Sequence, residues 1–165
     1  MIILGIDPGY GITGYGVIEK TNKGIKPIDY GVVETPKEEC LPVRLAMIYD
    51  AIKALIAKYN VDEIALEELF WARNTTTAIQ VAEARGVIAL ACIQHCGKVY
   101  EYTPMQVKQA LTGTGRADKK QVEFMVKAQL GITAKIRPDD ASDALAIAIC
   151  HSQVNPAFAE QFLFN

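Results

Sequence analysis

The chain has 165 residues, half of them apolar and 22% charged, with a net charge of −2 at pH 7. This size suits one globular domain over residues 1–165 and leaves no room for a second. Because no run approaches the roughly 18 apolar residues of a membrane span, and the apolar start is too short for a signal peptide, we expect a cytoplasmic protein.

Five strands are predicted from short apolar or β-branched runs bounded by turn residues such as Asn22 and Gly24. The predicted strands are Ile2–Asp7, Ile12–Glu19, Pro27–Glu34, Val61–Leu66 and Lys98–Tyr102. Elsewhere apolar residues recur at steps of three and four, the period of an amphipathic helix. The predicted helices are Leu41–Tyr59, Thr75–Cys96, Pro104–Leu111, Asp118–Leu130 and Asp139–Ser152. The stretch 154–165 shows no clear pattern.

The order of these elements is typical of an α/β fold. Three consecutive strands form an antiparallel opening, and the later strands, each reached through a helix, join it in parallel by right-handed crossovers. We therefore expect a five-stranded mixed sheet flanked by helices.

Four acidic residues stand at the ends of predicted elements. Asp7 and Glu67 terminate strands that this topology places side by side. Asp140 and Asp143, three residues apart, share one face at the start of an almost wholly apolar helix that must be buried against the sheet. Each acid alone also fits a turn, surface or capping role, and Asp139 is expected to be the cap. Together Asp7, Glu67, Asp140 and Asp143 are called the acidic cluster below.

Gathering several carboxylates is electrostatically costly unless a cation lies among them. Oxygen ligands of this type select hard cations such as Mg²⁺ or Mn²⁺. Two such ions about 4 Å apart activate a water molecule, hold a phosphate and neutralise the leaving oxygen during in-line displacement. The acidic cluster therefore predicts metal-dependent phosphodiester hydrolysis, for which no serine, cysteine or histidine nucleophile is required.

The four cysteines form no regular framework, and a chain of this size and apolar content does not need disulfides, so we expect reduced thiols. Cys92, Cys96 and Cys150 have His95 and His151 as sequence neighbours, which raises zinc as an alternative. The paired Cys-x-x-Cys spacing of structural zinc sites is missing, however, and buried small side chains are the favoured interpretation.

Basic residues are concentrated in one region of the chain. Between Glu101 and Arg137, seven lysines and arginines stand against three acids. This asymmetry suits a DNA-facing surface beside an acidic, metal-binding centre, although a solvated pair of helices gives similar counts.

Five short motifs follow one another along most of the chain. They are Gly5-Ile-Asp7-Pro-Gly9, Ala65-Leu-Glu67, Ala84-Arg85-Gly86, Gln106-Val107-Lys108-Gln109 and Asp140-Ala-Ser-Asp143. Each motif alone is weak, but the ordered set closely resembles the RuvC family of Holliday junction resolvases. The resemblance implies a ribonuclease H-like fold and a magnesium-dependent endonuclease that nicks DNA in homologous recombination and repair.

The resemblance also implies roles for single residues. The acidic cluster becomes the set of catalytic, metal-binding acids, with two Mg²⁺ ions per site and Mn²⁺ able to substitute. Phe70 is expected to stack on a base, and Lys108 and Lys119 to face the DNA backbone, with core packing and solvated charge as the respective alternatives. Further candidates for DNA contact are Arg73, Asn74, Arg116 and Lys120.

Members of this family act as homodimers, because a four-way junction with two-fold symmetry needs two symmetric nicks. We expect the interface on helix Thr75–Cys96, whose small residues Ala78, Ala82, Ala84 and Gly86 permit close helix approach. A helix packed only on its own sheet is the alternative. The resemblance further suggests the branch-migration proteins RuvA and RuvB as partners. Attack of a metal-activated water on a phosphodiester is expected to leave a 5′-phosphate and a 3′-hydroxyl.

Three other functions fit part of the sequence. Gly5-Ile-Asp7-x-Gly9 also resembles the first phosphate loop of actin-like ATPases, but the two lobes and second glycine-rich phosphate segment of that class are missing from the sequence. A nuclease acting on RNA or on RNA–DNA hybrids would have the same fold. A scaffold that binds junctions without cutting them is disfavoured by the intact acid set.

Overall fold

A computed structural model describes residues 1–68 and 75–164, and of residues 75–77 it describes the backbone alone. The strands are Ile2–Asp7 (β1), Ile12–Thr21 (β2), Gly24–Glu34 (β3), Glu63–Glu67 (β4) and Val99–Tyr102 (β5). The α-helices are Leu41–Tyr59 (α1), Thr75–His95 (α2), Pro104–Thr112 (α3), Lys119–Leu130 (α4) and Asp139–Gln153 (α5), and a 3₁₀ helix spans Pro156–Phe162. In the described ranges, no helix is long and apolar enough to cross a membrane.

The strands form one mixed sheet in the order β3-β2-β1-β4-β5. β1, β2 and β3 are antiparallel neighbours, whereas β4 runs parallel to β1 and β5 runs parallel to β4. Parallel neighbours need crossover connections, and α1 and α2 supply them. The predicted five-stranded mixed sheet flanked by helices is confirmed.

Residues of β1 alternate between two hydrophobic cores, as the two-residue period of a strand requires. Leu4 and Ile6 belong to the core on the side of α1 and α2. Ile3 belongs to the core that is built with α3, α4 and α5 on the opposite side. By the same alternation, Gly5 and Asp7 lie on the α5 side of the sheet.

The start of α4 is set by a local signal. The Asp118 side chain accepts a hydrogen bond from the Gln121 backbone N–H, and the Gln121 side chain accepts one from the Asp118 backbone N–H, which is a capping box. Gly131, with a φ of 66°, ends the helix in the left-handed conformation that glycine adopts at low cost. Lys119 is thereby held as the first residue of α4.

The ends of several elements differ from the sequence prediction, among them β4, which spans Glu63–Glu67 rather than Val61–Leu66. Gly24 was expected in the turn before β3, but it pairs with Thr21, so β3 begins at Gly24 rather than at Pro27. The C-terminal stretch, which gave no pattern, forms the 3₁₀ helix and then pairs with the sheet through Leu163 and Tyr100. Both features depend on contact with a neighbouring strand, which local sequence does not report.

Candidate active site

Helix α5 lies directly on the sheet because glycines leave room for it. A Cβ atom built on Gly14 would lie 2.1 Å from the backbone oxygen of Asp140, and one built on Gly5 would lie 2.2 Å from that of Ala144. No real side chain tolerates such distances. Since Gly14 is the register partner of Asp7, the close approach sets the first turn of α5 beside the end of β1.

Asp7 and Glu67 are brought together by the pairing of parallel strands. Ile6 pairs with Leu66, so the next residues along β1 and β4 are the two acids. Ala65 lies in the core on the α5 side, which places Glu67 on the same side of the sheet as Asp7 by alternation. These two carboxylates therefore share one edge of the molecule with Asp140, in the first turn of α5, and with Asp143, three residues further along the helix.

Burial and mutual repulsion alter the ionisation of this group. The pKa of Asp7 is raised to about 8, first by burial and then by the negative charges of the other cluster members, with Lys119 acting in the opposite direction. The pKa of Glu67 is raised to about 7, again by burial first and then by Asp143, opposed by Lys119 and Lys108. A site in which carboxylates hold their protons this strongly favours the binding of cations.

Two lysines predicted to contact DNA are near these acids. Lys119 Nζ lies 3.0 Å from Asp143 Oδ2, and its side chain is 75% exposed, so its ammonium group faces both the carboxylate and solvent. The charge of Lys108 acts on Glu67. Arg116 and Lys120 are exposed, in the turn before α4 and in its first turn respectively. Phe70, Arg73 and Asn74 lie outside the described residues.

The oxygen-rich composition of the acidic cluster fits a hard divalent cation. In the parts of the chain that the structure describes, however, no three carboxylate, imidazole or thiol side chains stand in a ready-made metal-binding arrangement. The backbone and the electrostatics thus bring the four acids together, whereas their carboxylate groups do not yet converge on one point.

Asp139 does not have the capping role expected from the sequence. Pro138 occupies the N-cap position, and Asp139 is the first residue of α5, where its carboxylate is paired with the Arg137 guanidinium. A proline at this position offers no side-chain oxygen for the first-turn N–H groups, and α5 begins without a side-chain cap. The capping prediction was therefore wrong by one position.

The far end of α5 is held by a buried hydrogen-bonded chain that sequence reasoning missed. His151 Nδ1 lies 2.6 Å from the Tyr102 hydroxyl oxygen, and His151 Nε2 lies 2.9 Å from Glu63 Oε2. Burial lowers the pKa of His151, opposed by Glu63. These contacts tie α5 to β4 and β5, so the helix that carries two of the acids is fixed at both ends.

Arg85, noted in the sequence only as part of a motif, supports the strand next to Glu67. Its guanidinium pairs with Glu101 on β5 and lies 4.5 Å from the centre of the Phe164 ring. Glu101 is the register partner of Leu66, one residue before Glu67. These contacts link α2, β5 and the C-terminal stretch. They could not be predicted from the sequence, where Arg85 is only an arginine between an alanine and a glycine on a predicted helix.

Comparison with known proteins gives consistent results over nearly the whole chain. The family model described as crossover junction endodeoxyribonuclease RuvC matches residues 3–151. The crossover junction endodeoxyribonuclease RuvC of Clostridioides difficile is 53% identical over 155 residues, which cover 94% of this chain and 92% of that protein. The RuvC of Alkaliphilus oremlandii is 48% identical and covers 98% of both chains.

Solved structures give the same result. The structure of Thermus thermophilus RuvC in complex with a Holliday junction substrate superposes with a TM-score of 0.86 at 36% identity, covering 92% of this chain and 93% of that chain. A second T. thermophilus RuvC structure gives a TM-score of 0.87 at 33% identity, with coverage of 99% and 100%. The yeast mitochondrial Holliday junction resolvase Ydc2, at 15% identity and a TM-score of 0.67, shares the fold.

Proposed function

This chain belongs to the RuvC family of crossover junction endodeoxyribonucleases, and we propose that its acidic cluster is the catalytic centre. The protein is a metal-dependent, structure-selective endonuclease with a ribonuclease H-like fold, and it resolves Holliday junctions in recombination and repair. The observation that carries the site assignment is the shared edge at which Asp7, Glu67 and the first turn of α5 meet. Residues 1–165 act as one nuclease domain in this proposal.

Mg²⁺ is the proposed ion, with Mn²⁺ able to substitute. The oxygen donors of the acidic cluster support this assignment because they prefer hard cations. The negative charges of Glu67, Asp143 and Asp140, which together with burial raise the pKa of Asp7, would be neutralised by a bound divalent ion. When bound, two such ions would supply activation of a water molecule and stabilisation of the phosphate charge. Asp7, Glu67, Asp140 and Asp143 would hold the ions, with Asp7 proposed as a ligand common to both because it stands at the end of β1, next to Glu67 at the end of β4.

The remaining roles in the proposed reaction belong to cationic side chains. Lys119 Nζ is 3.0 Å from Asp143 and largely exposed, so it is placed to stabilise charge that develops on a phosphate at the cluster. Lys108, whose charge acts on Glu67, is placed to hold the DNA backbone next to it. Hydrolysis at this centre would leave a 5′-phosphate and a 3′-hydroxyl, ends that a ligase joins.

Five further residues are proposed to contact DNA. Arg116 and Lys120 are proposed to bind phosphates because both are exposed and close in sequence to Lys119. Base stacking by Phe70 and contacts from Arg73 and Asn74 are proposed from family resemblance. These three residues lie outside the described residues, and substitution of each one tests its proposed contact.

A homodimer is proposed with α2 at its interface. Large apolar side chains on this helix are exposed, with Ile79 at 62%, Leu90 at 49% and Ile93 at 51%. Leu90 and Ile93 are three residues apart on one helix face, and Gly86, one turn earlier, has no atom within 4 Å of a would-be Cβ. An exposed apolar stripe that includes a small residue is suited to packing against a helix of a second protomer.

Association with the branch-migration proteins RuvA and RuvB, and a cytoplasmic location, complete the proposal. Both rest on family resemblance.

Substrate choice tests the proposed function directly. The protein is incubated with Mg²⁺ and with a synthetic four-way junction, a linear DNA duplex or an RNA–DNA hybrid of matched sequence. Paired, symmetric nicks in the junction, absent without a divalent ion, are expected. Preferential cutting of the hybrid would instead indicate a nuclease of the same fold that acts on RNA, and junction binding without any metal-dependent product would indicate a scaffold.

A further inference from the structure

A cleft of 270 Å³ opens beside the acidic cluster. Its walls are the first turns of α4 and α5 and the segment before α5, and Asp143 and Lys119 line it as well as belonging to the candidate active site. The other cations lining it are Lys120, Lys135 and Arg137, and we call this feature the basic cleft. Lys135, Arg137 and the neighbouring Ser142 have no role in the mechanism described above.

Positive charge prevails in the basic cleft once its internal ion pairs are considered. The carboxylate of Asp143 is paired with Lys119, and that of Asp139 is paired with Arg137. Among the ion pairs of the described residues, none involves Lys120 or Lys135, and Glu123 is the remaining acid on the wall. Two lysines therefore face a space that contains a single carboxylate without a cationic partner.

The N-termini of α4 and α5 also favour the binding of an anion in the basic cleft. Both α4 and α5 begin at the basic cleft, so the positive ends of two helix dipoles lie there. α5 has no side-chain cap, so the Pro138 carbonyl accepts from the Ala141 N–H but no capping side chain accepts from the other N–H groups of its first turn. Ser142, only 5% exposed, also lines the cleft and brings a hydroxyl donor to it.

We propose that the basic cleft binds a backbone phosphate of the DNA strand that is being cut, next to the phosphate at the acidic cluster. The shared residues Lys119 and Asp143 make the two sites continuous, so a single strand would pass from one to the other. Lys135 and Lys120 supply the charge, and Ser142 and the start of α5 supply hydrogen-bond donors. The inference rests on the proposed function, since the ligand is junction DNA.

The salt dependence of binding provides the test. Affinity for a synthetic four-way junction is measured in Ca²⁺, or without a divalent ion, over a series of NaCl concentrations for the unaltered protein and for Lys135→Gln. Each lost phosphate contact lowers the slope of log K against log salt by about one, whatever the DNA sequence. We expect that decrease together with an affinity at least about threefold weaker.

Two further variants make the result specific. Lys53→Gln removes an exposed lysine from α1, on the opposite side of the sheet, and should leave the slope unchanged. Asp139→Asn removes a negative charge from the wall and should strengthen binding. Thermal unfolding of each variant shows whether it is folded.

A slope for folded Lys135→Gln equal to that of Lys53→Gln would overturn the inference. Failure of the proposed function has a different signature, namely no cleavage of the junction by the unaltered protein in Mg²⁺. The binding slopes are read without cleavage and are independent of that result.

Discussion

Asp7 and Glu67 occupy equivalent positions at the ends of two neighbouring parallel strands, each one residue beyond the paired Ile6 and Leu66. Both are mostly buried, and both have a raised pKa, about 8 for Asp7 and about 7 for Glu67. The fold therefore holds two acids where ionisation is costly, and that cost bears on stability as well as on metal binding.

Asp7→Asn should stabilise the protein in the absence of divalent ions. Because the folded-state pKa of Asp7 is above the unfolded value of 3.8, the free energy of unfolding declines as the pH rises from about 4 to 8. Above that range the ionised carboxylate destabilises the folded protein. At pH 8.5 in EDTA, the variant should gain about 1–3 kcal/mol in the free energy of unfolding, measured by urea denaturation. Asp139→Asn, at an exposed position, is the control. If Asp7→Asn were no more stable than the unaltered protein, the ionised Asp7 carboxylate would not be destabilising the folded state.

Metal binding should release protons near neutral pH. Below about 8 the Asp7 carboxyl, and below about 7 that of Glu67, retains a proton that a divalent ion must displace. Affinity for Mg²⁺ should therefore rise between pH 6 and 8 and level off above that range. Calorimetry in buffers of different ionisation enthalpy measures the released protons. An affinity that does not vary over this range would contradict the raised pKa values.

Gly14→Ala should displace the first turn of α5. The new Cβ would lie 2.1 Å from the Asp140 backbone oxygen and 2.7 Å from its carbonyl carbon, neither of which is a flexible group. We expect a loss of roughly 2 kcal/mol or more in stability, and a large loss of nicking in the fraction that remains folded. Gly31→Ala is the matched control, because the nearest atoms to its Cβ, the first at 2.9 Å, all belong to the Tyr15 side chain rather than to a backbone. Similar losses in both variants would argue against a special role of the contact between α5 and β2.

Ile93→Glu should produce monomers if α2 forms the dimer interface. Burying a carboxylate among apolar side chains is costly, so association should weaken by at least about tenfold. Analytical ultracentrifugation measures the oligomeric state. Ile28→Glu, at a comparably exposed position on β3, should leave it unchanged. A dimer that survives Ile93→Glu and dissociates with Ile28→Glu would place the interface at the other edge of the molecule.

Much of this architecture could be predicted from local sequence. Helix α1 has the predicted bounds because Ile48, Ile52 and Ile56 repeat with helical period and are all buried. The acidic cluster could be predicted because its members stand at element ends, where topology and helical spacing together determine placement. Contacts between distant segments could not be predicted in this way. Lys119 and Asp143 pair across 24 positions, and Arg85 and Glu101 across 16, and neither residue type nor period identifies such partners.

The positions of the four carboxylate groups relative to one another could not be predicted from the sequence either. Backbone periodicity says which face of a strand or helix a residue occupies, whereas ligation depends on side-chain rotation. The sequence predicted four side chains converging around divalent ions. The structure gathers the acids at one edge without a ready-made ligand set among the described residues.

Nicking of a four-way junction by Asp7→Asn, measured beside binding of the same DNA, tests the central claim most directly. The account predicts that the variant binds the junction as tightly as the unaltered protein in Ca²⁺, and that its nicking rate in Mg²⁺ falls by a factor on the order of 10³ or more. Nicking at close to the unaltered rate would show that the chemistry takes place elsewhere in the molecule.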